Sequence, residues 1–201
     1  VTSSLEGDIF KFTGATAQDF SMSPLHPRSG ADGDESLAFV GNDVVYGRQG
    51  RIEALSGVEA FGDVETNDLS VDIADRVDTF EDWTIVYNSR LQKIYCFASG
   101  KDELFVLHKS LLGSQISPWS RWTSAHTINF QPTAVMNMLD PVDGLEYVFM
   151  GDSNGNIYRL EGSGTTGDGG TNDIVSERVS KVFSIPVNAE AFNIDGWIKY
   201  K

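Results

Sequence analysis

The chain has 201 residues and a mass of 22.0 kDa, which suits one large domain or two small ones. Its 40% hydrophobic and 22% charged residues exclude collagen, coiled coil and wholesale disorder, and no apolar run reaches the roughly 20 residues of a membrane helix. The net charge of -14 disfavours general binding to nucleic acid or to anionic lipid, because a negative surface repels phosphate.

Four units of short strands are predicted in chain order. A partial unit occupies 1–35 and contains one strand-like segment, 7–14, which is typical of the closing strand of a unit. The units 36–66, 83–126 and 127–162 each begin with alternating apolar and polar residues, and their strands are joined by turns that contain glycine or asparagine.

These units recur at a fixed interval, and the interval predicts the architecture. The three fuller units begin near residues 36, 83 and 133, and this spacing of roughly 45 to 50 residues is the repeat length of propeller blades. We therefore predict an all-β fold, a β-propeller-like array of about four antiparallel blades that spans 1–201 as a single domain or a fragment of one. Such an array does not close a ring, so further blades outside this chain, or a partner chain, are expected to cover the open edges.

Two segments depart from the strand pattern. Segment 67–80 predicts one short inserted helix, with Asn67 or Asp68 as its N-cap. Its apolar residues, at spacings of four, four and three, are Leu69, Ile73, Val77 and Phe80. Segment 162–173 is rich in glycine and predicts a flexible loop, after which the tail returns to strand-like alternation.

The hairpin of the last unit carries two competing patterns. Asn154-Gly155 predicts a type I′ turn, in which both central residues have positive φ. The surrounding stretch 152–156 superficially resembles the start of a calcium loop. However, Ile157 stands at the glycine position and Gly162 stands where the closing glutamate is required, so the turn is the preferred interpretation.

No catalytic, cofactor-binding or metal site is predicted, and we do not expect an enzyme. Cys96 is the single cysteine and lies in an apolar run, so we expect a small buried side chain. The three histidines, His26, His108 and His126, are isolated from one another and from Cys96. The chain contains no nucleophile elbow, phosphate-binding loop or dinucleotide fingerprint.

The most distinctive motif lies in segment 118–123. Two tryptophans three positions apart, Trp119 and Trp122, flank Arg121, and these three residues are the candidates for a ligand-stacking or partner contact. The competing interpretation is structural: one tryptophan fills the gap between neighbouring blades and the other partly shields Arg121.

Several stretches resemble the propeller of the tail nozzle (tubular) and head-to-tail DNA-stabilising proteins of short-tailed bacteriophages. They are 39–46, 50–56, 86–95, 103–108 and 118–122. The resemblance covers roughly residues 36 to 160, although the chain is too short for a complete nozzle subunit. It implies a structural virion protein of the tail or head-to-tail junction, which forms a homo-oligomeric ring or tube that retains and conducts DNA, contacts other tail and connector proteins, and has no catalytic residues.

Two alternative functions stay open at this point. One is a carbohydrate-binding or glycoside-cleaving propeller, in which Trp119, Trp122 and nearby acids contact sugar. The sialidase-type repeat is absent from the hairpins, which disfavours cleavage. The other is a generic propeller scaffold that binds a protein partner.

Overall fold

A computed structural model describes residues 8–26, 30–56, 65–114, 116–123 and 130–161, and three two-residue strands that follow them. Within these residues the chain is mostly antiparallel β-structure with one short α-helix and two 3₁₀ turns, Val71–Ile73 and Lys109–Leu111, which confirms the predicted all-β class. The strands form three larger sheets and two two-stranded ribbons, and none of the described sheets closes on itself.

The N-terminal ribbon pairs β1 (Ile9–Thr13) with β2 (Ser21–His26). The strand predicted in 7–14 is therefore present, but it pairs with a second strand that the sequence pattern did not indicate. Exposed apolar side chains gather on this ribbon, and Phe12 and Phe20 meet edge to face at 5.5 Å between ring centroids.

The first sheet is a meander of four strands in the order in which they occur in the chain. They are β3 (Leu37–Val40), β4 (Asp43–Arg48), β5 (Arg51–Ser56) and β6 (Glu65–Asp68). The two-residue turn between β4 and β5 places Gln49 and Gly50 at positive φ, 43° and 75°, as a type I′ hairpin demands.

The inserted helix is present but much shorter than the predicted 67–80. A 3₁₀ turn (Val71–Ile73) leads into a single α-helical turn, α1 (Ala74–Val77). Asn67 and Asp68 do not cap this helix, because they pair with β5 as the last residues of β6. The prediction of the N-cap was therefore wrong.

Side-chain hydrogen bonds explain why the strand extends to residue 68. The Asp68 carboxylate accepts from the Ser70 backbone N–H at 2.8 Å and from its hydroxyl at 2.6 Å. The Ser70 Oγ also accepts from the Ile52 N–H at 3.1 Å, so the exit from β6 is fastened to the first sheet. The predicted apolar stripe nevertheless faces the core: Ile73, Val77 and Phe80 are buried.

The second sheet confirms the three strands predicted in the unit 83–126 and adds a fourth. It contains β7 (Trp83–Asn88), β8 (Lys93–Ala98), β9 (Glu103–His108) and the additional β10 (Trp119–Thr123), again in chain order. A two-residue strand, Ser176–Glu177, pairs with the outer side of β10.

The third sheet contains β11 (Ala134–Leu139), β12 (Glu146–Gly151) and β13 (Ile157–Arg159). The hairpin between β12 and β13 is present, but its predicted type I′ turn is wrong. Gly155 has a φ of +83°, whereas Asn154 is not at positive φ. Bonds from Gly155 N to Asp152 O and from Asp152 N to Asn156 O define a three-residue loop that ends in a left-handed glycine.

The predicted flexible loop 162–173 contains one described ribbon, in which Thr166–Gly167 pairs with Asn172–Asp173. The other residues of this loop, the tail beyond 177, and parts of the predicted units at 1–7, 27–29, 57–64 and 124–129 lie outside the described residues.

The second sheet buries both of its faces, and this determines the core. Alternate residues of β8, namely Ile94, Cys96 and Ala98, pack in a first cluster with the first sheet and the helical segment. Tyr95 and Phe97 point the other way into a second cluster with the third sheet. The three sheets therefore stack in chain order, with the second sheet between the other two.

The first strands of the three sheets are neighbours. Strand β7 contacts β3 on one side and β11 on the other. The Ile85 N–H of β7 donates to Glu35 O, next to β3, at 2.8 Å, and the Asn137 side chain of β11 donates to Tyr87 O of β7 at 2.5 Å. Successive sheets are thus joined by hydrogen bonds along one edge of the stack, where their first strands meet.

Candidate functional site

The predicted site lies on β10, which pairs with β9. Residues three positions apart on a strand lie on opposite faces, so Trp119 and Trp122 point in opposite directions. Trp119 is 1% exposed and belongs to the first cluster. Its indole Nε1 donates to the backbone oxygen of Leu69 at 2.8 Å, so this ring fills the space between the first and second sheets.

Trp122 packs on the second cluster and is half-buried. Its ring meets Tyr95 edge to face, with 6.2 Å between centroids and 83° between planes. Arg121 binds the Glu103 carboxylate with two hydrogen bonds, of 3.1 Å from Nε and 2.5 Å from Nη2. The guanidinium is therefore held by a carboxylate on the neighbouring strand.

The structure thus separates the three candidate residues. A stacking platform that uses both Trp119 and Trp122 is not formed, because the pleat sends the two rings into different clusters. A partner contact through the exposed parts of Arg121 and Trp122 stays a prediction.

Among the described residues, no group of three or more histidine, cysteine, aspartate or glutamate side chains is arranged to hold a metal ion. His108 Nε2 lies 3.0 Å from Ser120 Oγ, in a half-buried pair between β9 and β10. Cys96 is buried as expected, and this burial raises the pKa of its thiol far above the usual range. The thiol is therefore uncharged and inert at neutral pH.

A polar cleft lies between the second and third sheets, beside the loop that joins β12 to β13. It has a volume of about 340 Å³. Residues from four separate segments line it, among them Thr84, Ser99, Gln131, Thr133, Asp152 and Asn154. Their hydroxyl, amide and carboxylate groups accept and donate hydrogen bonds, whereas the lining contains no lysine or arginine. Because these segments are far apart in the chain, no local sequence pattern predicts this cleft.

Asp152 at the cleft rim has a structural role. One carboxylate oxygen accepts from the Asn154 and Asn156 N–H groups at 2.9 Å each. The other accepts from the Asn156 amide at 3.0 Å and from the Tyr158 hydroxyl at 3.1 Å. These hydrogen bonds, with the Asn156 amide foremost, lower the pKa of Asp152 to about 2. Both oxygens are occupied by donors, which supports the turn interpretation over the calcium loop.

An ion pair fastens the end of the third sheet to the second. Glu161 follows β13 at a φ of 60°, and its carboxylate accepts from Lys93 Nζ at 2.5 Å and from the Tyr95 hydroxyl at 2.8 Å. Burial and the nearby Glu161 charge raise the pKa of Tyr95 well above its usual range. Strand β8 is therefore linked to the end of the third sheet by an ion pair as well as by packing.

No family model, no curated protein and no solved structure matches the chain. No helix in the described part of the chain is long and apolar enough to cross a membrane.

Proposed function

We propose that this chain forms part of a β-propeller that serves as a structural component of the tail or head-to-tail connector of a short-tailed bacteriophage. The observation that best supports a propeller is the order of the sheets along the chain. Two four-stranded meanders and a three-stranded one follow each other along the chain, and their first strands β3, β7 and β11 are neighbours. Radial repetition of antiparallel meanders around their first strands is the propeller arrangement.

The packing of the tryptophan motif supports a scaffold rather than a ligand site on β10. Trp119 is enclosed between two sheets and bonded to Leu69 O, as expected of an aromatic wedge between blades. Arg121 is engaged by Glu103 on the adjacent strand. The most distinctive residues of the sequence therefore contribute to holding strands and sheets together.

The assignment to a phage particle rests on the sequence resemblance over residues 36 to 160. It implies a homo-oligomeric ring or tube in the virion, in contact with other tail and connector proteins, through which DNA passes. The net charge of -14 suits such a conduit, because like charges keep DNA from adhering to its wall. The proposal includes no enzymatic activity and no specific binding of nucleic acid or membrane.

Localisation in the particle tests this proposal. The phage whose genome encodes the chain is grown with an epitope tag on this protein, and purified particles are examined by immunogold electron microscopy. Label at the tail or the head-to-tail junction is the expected result, with a tagged major capsid protein as the control that labels the head. Purified particles that lack the protein would overturn the proposal and favour a generic interaction scaffold.

The polar cleft favours a second candidate, a carbohydrate-binding propeller. Hydroxyl and amide groups that converge without a lysine or arginine suit a neutral, hydroxyl-rich ligand. A glycan array with the purified chain tests it, with Thr84→Val as the variant that removes one lining hydroxyl. Binding that Thr84→Val weakens would support this candidate, and no binding by the native chain would exclude it.

A further inference from the structure

Each first strand carries two rows of side chains, one on each face of its sheet, and most of these rows meet a neighbouring sheet. Ala38 and Val40 of β3 share the first cluster with Ile85 of β7. On the opposite face of β7, Val86 packs against the second cluster, as Val135 of β11 does. The same strand-to-strand relation thus occurs twice within the chain.

Two rows remain without such a partner among the described residues, one at each end of the stack. On β3, Leu37 and Phe39 are 40% and 74% exposed, although the alternate residues of the same strand are buried. On β11, Met136 and Met138 are 55% and 43% exposed. Both rows are apolar and both lie on first strands. They therefore resemble the rows through which β3 contacts β7 and β7 contacts β11.

We propose that the exposed β11 row of one copy docks against the exposed β3 row of a second copy, so that two copies close one ring. A second copy is the expected partner because it continues the contacts within the chain. Strand β3 meets β7 and β7 meets β11, so the next strand in this series is another first strand. A second copy presents such a strand at each end. The three larger sheets of each copy give six in the pair, within the four to eight blades typical of propellers.

Symmetry allows both rows to be covered at once. Rotation about the ring axis brings the β11 row of each copy to the β3 row of the other, so residue pairs are exchanged reciprocally and the assembly is closed. This inference rests on the propeller arrangement proposed above and names the surface through which copies associate. Methionine at such a surface adapts its shape to the opposing Leu37 and Phe39.

Sedimentation velocity of the purified chain over a range of concentrations tests the docking. The wild-type chain is expected to have twice its mass of 22.0 kDa. Phe39→Glu and Met136→Glu each place a charge in one row and are expected to weaken association by at least tenfold. Val71→Glu is the matched control, because Val71 is 68% exposed on the 3₁₀ turn rather than on a first strand. Far-ultraviolet circular dichroism shows whether each variant is folded.

Mixing the two variants gives the decisive result. Phe39→Glu keeps an intact β11 row and Met136→Glu keeps an intact β3 row, so the mixture restores one of the two contacts and heterodimers reappear. A Phe39→Glu chain that dimerises like the wild type, with no gain on mixing, would mean that β11 rows pair with each other and would overturn the proposal.

A monomeric wild-type chain would overturn it as well, because the rows are then covered within the chain or left open. That outcome leaves the proposed virion role standing, since particle localisation tests the role separately. Conversely, absence from the particle would overturn the virion role while a reversible dimer of the purified chain still supports the docking.

Discussion

Replacing Trp119 by phenylalanine tests whether this residue acts as an inter-sheet wedge. The indole is 1% exposed, and its Nε1 donates to Leu69 O at 2.8 Å. Phenylalanine removes this hydrogen bond, at a cost of about 1 kcal/mol, and leaves Leu69 O without that donor. It also removes buried atoms, for which roughly 1–2 kcal/mol more is expected, since complete truncation of a buried tryptophan costs about 3–5 kcal/mol. The free energy of unfolding should fall by about 2–3 kcal/mol.

Trp122→Phe is the matched control, since this ring is half-buried and phenylalanine retains its edge-to-face contact with Tyr95. Its cost should stay below about 1 kcal/mol. Urea unfolding followed by far-ultraviolet circular dichroism measures both, because tryptophan fluorescence would itself change. With a slope of about 2 kcal/mol per molar urea, Trp119→Phe should lower the midpoint by roughly 1 M. A wild-type midpoint for Trp119→Phe, or a larger loss for Trp122→Phe, would refute the wedge.

Three further predictions concern packing, pH and reactivity. In Gly47→Ala the new Cβ would lie 2.5 Å from Trp83 Cδ1, so the free energy of unfolding, measured by thermal unfolding, should fall by about 1–3 kcal/mol. Gly33→Ala is the control and should leave it unchanged, because no atom lies within 4 Å of the new Cβ. Equal effects of the two substitutions would contradict this packing. The pKa of Asp152 is lowered to about 2, so its stabilising effect is present above about pH 4 and is lost as the pH falls through 2. The difference in urea midpoint between wild type and Asp152→Asn should therefore shrink from pH 4 to pH 2, and a difference independent of pH would argue against the carboxylate's role. The Cys96 thiol, buried with a raised pKa, should react with a thiol reagent at pH 8 only after denaturation, and rapid labelling of the folded chain would contradict its burial.

The hairpins formed by β3 to β5, by β7 to β9 and by β11 to β13 were predictable because each of these strands carries its own local signal. Segments such as Ile85–Tyr87 and Lys93–Phe97 combine β-branched and aromatic residues with polar turns, and tight turns join strands that are adjacent in the sheet. The continuous apolar run around Cys96 also predicted burial of the cysteine, and the structure explains the run by the burial of both faces of β8.

Other features depend on contacts that local patterns do not report. Helical spacing in 67–80 was a true sign of one buried face, but pairing of β6 with β5 extended the strand through Asp68 and left room for a single α-helical turn. In the hairpin at 152–156, the dipeptide Asn154-Gly155 predicted a two-residue type I′ turn, but the structure has a three-residue loop. Four donors bind the Asp152 carboxylate in this loop.

The candidate site shows how the type of element decides what a motif can do. Two tryptophans at positions i and i+3 share a face on a helix and lie on opposite faces of a strand. Once Trp119 and Trp122 are assigned to β10, the pleat alone rules out a common platform. The polar cleft, in contrast, depends on the packing of the second sheet against the third, which no local pattern encodes.

The proposed arrangement can be tested with a cryo-electron microscopy map of tails purified from the encoding phage, at a resolution that separates strands. We expect a ring of antiparallel sheets at the tail or the head-to-tail junction, with β3, β7 and β11 side by side nearest the ring axis and Trp119 enclosed between the first two sheets. A map that accounts for every tail protein without this chain, or that shows its three sheets spread apart with Trp119 exposed, would contradict it.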